Sequence, residues 1–143
     1  MEVTAYWEGG YKTRVPIRDF ELRVDEPERY GGEDTGPMPT EMLLGTLAAC
    51  FAMAFHHAAK KRDVELPDLK VTVRGEYGNL RFDRIFVEVH TSHPDREELD
   101  GFLERAIEYC YVTNTLRSDP QLEYRIAGAE PHEVSHAPSP ERD

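Results

Sequence analysis

Apolar and polar positions along the chain change period several times, and each change marks an element. Val3, Ala5 and Trp7 alternate with Glu2, Thr4 and Tyr6, which predicts a strand over residues 2–8. Gly9-Gly10 is a hairpin signal, and a second extended run is expected over 11–25, where Phe20, Leu22 and Val24 keep the alternation. Residues 26–38 lose all period and carry Gly31, Gly32, Gly36, Pro27 and Pro37, so they read as a loop. Pro39 suits the first position of a helix, with Thr40 and Glu41 in its first turn. That helix is expected to run to about Arg62. Its middle, Met42 to Phe55, is apolar on every side, which requires burial on every side. Its end, with His56, His57, Lys60, Lys61 and Arg62, is wet and cationic, as suits a helix C-terminus.

Two more strands are predicted at Leu69–Tyr77 and Arg81–Thr91, joined by a Gly78-Asn79 turn. A second helix is expected from near Pro94, capped by Ser92 or His93. Leu99, Phe102, Leu103, Ala106, Ile107 and Cys110 fall three or four apart and form one stripe facing the core. The polar run Thr113-Asn114-Thr115 is expected to break the helix after Cys110. A last strand is expected at Leu122–Ile126. Residues 1–128 therefore read as a single α+β domain, and the proline- and charge-rich residues 129–143 as a disordered tail. A helix buried all round in so small a domain needs cover from several elements, and a second subunit is expected to supply part of it.

The bulk composition narrows the function. The chain has 143 residues, enough for one domain with a real core. A net charge of −11 argues against nucleic acid or anionic membrane as a partner, since both need a positive surface. The first residues lack the basic start and apolar run of a signal peptide. The apolar stretch Met42–Phe55 rises about 21 Å as helix, short of an ~30 Å hydrocarbon core. A cytoplasmic protein is expected, in which stable structural disulfides are rare.

The chain holds two cysteines, Cys50 and Cys110, each within an apolar helical pattern. Free cysteine behaves as a small hydrophobe and is often inert core filling. The flanks also allow a redox couple: Ala48-Ala49 leave room beside Cys50, and the polar run after Cys110 opens that site. A reactive thiol must ionise, so a cation or donor must lower its pKa. Arg14, Arg18 and Arg23 on the N-terminal strands are the candidates. His56, His57 and Cys50 invite a metal reading, but no spacing supplies the three or four ligands that zinc needs, so neither metal nor cofactor is expected.

Two motifs carry a resemblance. Pro39-Thr-Glu41-Met-Leu-Leu-Gly-Thr-Leu-Ala-Ala-Cys50 resembles P-x-E-x-L-L-x-A-x-x-x-C, and Cys110-Tyr-Val-Thr-Asn-Thr-Leu116 resembles C-P-V-S-N-T-L. Between them, Arg81-Phe-Asp-Arg-Ile85 resembles an R-F-x-x-I strand. These are marks of the OsmC/Ohr family of thiol-dependent hydroperoxide reductases. The resemblance implies an OsmC-like α+β fold, an intertwined homodimer with two central helices wrapped by antiparallel sheets. It implies that Cys50 attacks an organic hydroperoxide and becomes a sulfenic acid, that Cys110 condenses with it to a disulfide, and that a dithiol reductant regenerates the pair. Members of the family place an arginine directly after a Gly-Gly turn and a glutamate directly after the helix-starting proline. Here Tyr11 follows Gly9-Gly10 and the nearby cation is Arg14, while Thr40 follows Pro39 and the acid is Glu41. Tyr111 replaces the motif's proline. Arg14 and Glu41 are thus the candidates to complete the catalytic set. A non-catalytic dimer of the same fold, binding a small hydrophobic ligand, is the other reading.

Overall fold

A computed structural model describes residues 1–127; the expected tail lies outside them. The fold is α+β. Strands β1 (Tyr6–Gly9), β2 (Lys12–Ile17) and β3 (Phe20–Val24) form one antiparallel sheet in that order. Helix α1 follows at Pro39–Lys60, then the antiparallel pair β4 (Lys70–Tyr77) and β5 (Phe82–His90), then α2 (Arg96–Tyr109) and α3 (Tyr111–Ser118).

The first hairpin turns at Gly10-Tyr11, directly after Gly9 at the end of β1, and the φ values of Gly9 and Gly10, 108° and 56°, suit glycine. The single run expected over 11–25 is two strands. They turn at Arg18-Asp19, with Arg18 in the left-handed region at φ 56°, and pair Ile17 with Phe20 and Thr13 with Val24. The alternation survives the turn, so periodicity alone did not reveal it. Beyond β3, Asp25 organises the loop. Its buried carboxylate accepts from the backbone N–H groups of Glu26 at 2.8 Å and of Glu33 and Thr35 at 3.1 Å each, and from the Thr35 hydroxyl at 2.8 Å. Burial pushes its pKa up, but these four donors outweigh that and bring it down to about 2.

Helix α1 is the centre of the molecule. Leu47, Phe51, Ala54, Phe55, Ala58 and Ala59 face a cluster completed by Leu66, Phe102, Ala106 and Cys110. Phe55 meets Phe102 of α2 edge-to-face at 6.0 Å, a favourable ring geometry. By length and composition α1 could cross a membrane. Its packing against α2, α3 and β4 assigns it to a core instead. Its far side is uncovered in the single chain: Met53 is 71% exposed. Among the described residues, the strands of the N-terminal sheet pack substantially only on one another, leaving Trp7, Tyr11 and Phe20 exposed.

Three further expectations are corrected. The cap of α2 is Asp95, whose carboxylate accepts from the Glu98 N–H at 3.0 Å, not Ser92 or His93. Ser92 is engaged elsewhere, donating its N–H to Asp68 at 2.8 Å. The helix break falls at Cys110 itself, and Thr113-Asn114-Thr115 are helical within α3. Leu122–Ile126 is irregular, not a strand. Asp119 in the left-handed region and Pro120 end α3, and the segment then joins neither of the two sheets formed by the described residues.

Candidate functional site

Cys50 lies on the fourth turn of α1, partly exposed, and packs against the buried cluster that contains Cys110. Cys110 has no solvent-exposed surface. Both are free thiols, and Cys50 lies near enough to favour the ionised form of Cys110. Residues sixty positions apart are thus brought together by the packing of α1 against the α2–α3 junction.

That junction is built for the sulfur. Cys110 ends α2, its N–H donating to the Ala106 carbonyl at 2.9 Å. Its own φ of −74° and ψ of 104° are extended, so the chain turns there and α3 begins with Cys110 as N-cap. The side chain of Asn114 clips the turn by donating to the Glu108 carbonyl at 2.9 Å. In this position the sulfur accepts the Thr113 N–H at 3.4 Å, the bond an N-cap oxygen ordinarily takes. The Thr113 hydroxyl is buried without a hydrogen-bond partner of its own, and it favours charge on the nearby sulfur. Burial pushes the Cys110 thiol up, but the Thr113 hydroxyl and N–H, the Cys50 thiol and the Val112 N–H together outweigh it and hold its pKa below the ordinary value. Cys110 therefore ionises more readily than an ordinary thiol.

The structure does not bring Arg14 or Glu41 to the sulfurs within one chain. The Arg14 guanidinium pairs with Glu8 at 3.1 Å and Glu21 at 3.6 Å and lies over the Tyr6 ring. Arg23 lies near Glu21 at 3.9 Å, and Arg18 covers Phe20. All three belong to the N-terminal sheet. Glu41 turns back to accept the Met38 N–H at 2.9 Å and caps α1, while Thr40 bonds the Tyr77 hydroxyl at 3.0 Å. His57 meets Tyr109 edge-to-face at 5.4 Å. The two join Glu108, Tyr111 and Asn114 around an open cleft of about 460 Å³ flanking Cys110. Among the described residues, no group of three or more His, Cys, Asp or Glu could hold a metal.

Sequence reasoning found both cysteines and missed Thr113 and the Val112 amide. The available signal was a C-x-x-T spacing, the geometry of a helix N-cap with its third residue. An unbroken apolar stripe up to Cys110 concealed it.

Residues 31–125 match the OsmC-like protein family. The chain belongs to the OsmC-like family. It is 26% identical over 131 residues, 90% of this chain and 96% of the relative, to an uncharacterised protein of Haloferax volcanii. The crystal structure of the organic hydroperoxide resistance protein OhrB of Bacillus subtilis superposes with a TM-score of 0.59 at 25% identity, covering 82% of this chain and 90% of that one. An OsmC-like protein of Mycoplasma pneumoniae superposes with a TM-score of 0.66 at 21% identity, covering 81% and 86%. The OsmC-like architecture read from the two cysteine motifs is thus the fold of the chain.

Proposed function

We propose that this protein is a thiol peroxidase that reduces organic hydroperoxides to alcohols. The observation that carries the reading is that the two free thiols belong to one packed cluster in an OsmC-like fold. The Cys50 thiolate attacks the outer peroxide oxygen, the O–O bond breaks, and the alkoxide leaves as the alcohol after taking a proton. Cys50 is then a sulfenic acid. The Cys110 thiolate attacks its sulfur, hydroxide leaves as water, and a disulfide forms. A dithiol supplies two electrons and two protons to restore both thiols. No cofactor enters these steps. Cys110, partnered by Thr113, is well placed to be ionised for the second step.

The first step needs a thiolate at Cys50, and within one chain neither Arg14 nor Glu41 is brought to it. We assign its activation to a homodimer. The uncovered Met53 side of α1 and the exposed Trp7, Tyr11 and Phe20 of a sheet barely packed on its own chain support an intertwined pair. In that pair a partner's hairpin brings Arg14 to Cys50, with Glu41 steadying the helix end. A reducing compartment, the cytoplasm, suits such a cycle.

The test is hydroperoxide consumption with a dithiol reductant. Wild-type protein turns over, and Cys50→Ser abolishes turnover while keeping the native circular dichroism spectrum. Unchanged turnover in Cys50→Ser removes the proposal. One observation favours a second reading, a non-catalytic dimer binding a small hydrophobic ligand: Arg14 and Glu41 are already engaged in their own chain. A Cys50 thiol that reacts with iodoacetamide no faster than an unperturbed cysteine supports the binder.

A further inference from the structure

We propose that the reductant enters the Cys50–Cys110 disulfide at the Cys50 sulfur, with Cys110 as the leaving thiolate and Thr113 as the positioning residue that receives it. This rests on the disulfide cycle proposed above and adds its direction.

Two independent observations agree. The first is access. Thiol–disulfide exchange requires the incoming sulfur to reach one sulfur of the bridge. Cys110 has no exposed surface and belongs to the buried cluster with Phe51, Phe102 and Ala106, while Cys50 stands partly open on α1. The second is the fate of the electron pair. The sulfur expelled must carry negative charge, and the sulfur better able to hold it leaves faster. The Thr113 N–H already points at the Cys110 sulfur from 3.4 Å, at the N-terminus of α3, where the helix dipole favours an anion. The buried Thr113 hydroxyl has no hydrogen-bond partner and is free to turn toward that charge. Attack at Cys110 would have to displace core packing and expel the sulfur that these donors do not serve.

The step balances as follows. One thiolate of the dithiol attacks Cys50 Sγ. A bond forms between them, the Cys50–Cys110 bond breaks, and its electron pair leaves with Cys110 as thiolate. The second thiol of the reductant loses its proton to solvent and attacks its own mixed-disulfide sulfur. Cys50 is released and protonated, and the reductant leaves as a cyclic disulfide. Two electrons have passed to the protein.

The test uses the full-length protein oxidised with diamide, which makes the bridge independently of any peroxide chemistry. The monothiol 2-mercaptoethanol is added, free thiols are alkylated early with N-ethylmaleimide, and peptide mass spectrometry locates both labels. The expected product carries mercaptoethanol on Cys50 and maleimide on Cys110, exceeding the reverse product by at least about fivefold. In Thr113→Val the ratio falls toward parity, and in Thr113→Ser it is retained. Equal labelling, or mercaptoethanol mainly on Cys110, overturns the proposed direction while leaving the peroxidase reading intact. An unchanged ratio in Thr113→Val overturns the role of the Thr113 hydroxyl. Failure of both diamide and an alkyl hydroperoxide to make the bridge overturns both proposals.

Discussion

At Cys110 the hydroxyl and N–H of Thr113, the N–H of Val112 and the Cys50 thiol converge on one sulfur. The expected consequence is a thiol that ionises below its ordinary pKa, and Thr113→Val should raise it, as read from thiolate absorbance across pH. The sign for stability follows. A group whose folded pKa is depressed contributes stability that is complete above its unfolded pKa and is lost as pH falls through the folded one. The stability gap between wild type and Cys110→Ser should therefore shrink as pH falls from the alkaline side through the lowered pKa, measured by urea unfolding at each pH. Asp25 obeys the same rule at the acid end. Its stabilisation is complete above the ordinary carboxylate pKa and is lost as pH falls through about 2. Asp25→Asn keeps the shape but cannot accept as a carboxylate does. It should lower Tm by about 5 °C and open residues 26–38 to proteolysis. At this scale the sequence showed the sulfurs, because cysteine is rare and its motif spacing specific. It did not show their donors, because a backbone N–H has no letter.

Elements were legible where period and punctuation agreed. Pro39 begins α1, and the all-apolar middle marks a core helix. Gly9-Gly10 makes the first hairpin, and β4 and β5 fall within a residue of their alternating runs. Elements were misread where a turn used residues with no turn signature. Arg18-Asp19 folds the expected long strand without glycine or asparagine in the turn. Asp95 caps α2 because the helix begins at Arg96, two residues later than the Pro94 start read from the sequence. The α1–α2 contact is the element pair that sets the thiols side by side, and Phe102, 1% exposed, is its centre. Phe102→Ala should cost about 3–5 kcal/mol in denaturant unfolding and slow bridge formation more than Leu80→Ala, a change at a fully exposed turn residue.

At the scale of the whole molecule, one chain accounts for its sulfur pair and leaves its surface unfinished. Met53 and Trp7 stand 71% and 75% exposed, on a helix apolar all round and on a sheet that packs on little else in its own chain. Leu122–Ile126 has the alternation of a strand and joins neither sheet formed by the described residues. Sequence pattern specifies that a face must be buried without saying which chain buries it, so the fold was readable and the assembly only inferable. Chains carrying Trp7→Glu and Met53→Glu should associate at least about tenfold more weakly, as measured by sedimentation equilibrium. Their hydroperoxide turnover should fall with the dimer fraction if Arg14 acts across the interface. Equal turnover in a confirmed monomer would place activation within one chain.

The most direct test of the central claim is to count free thiols before and after one equivalent of an alkyl hydroperoxide, with mass spectrometry of the peptides. The account predicts that the two free thiols of each chain disappear together, with one alcohol released and a bridge between Cys50 and Cys110. Both thiols surviving the oxidant, or Cys50 advancing to sulfinic acid with Cys110 still free, would contradict it.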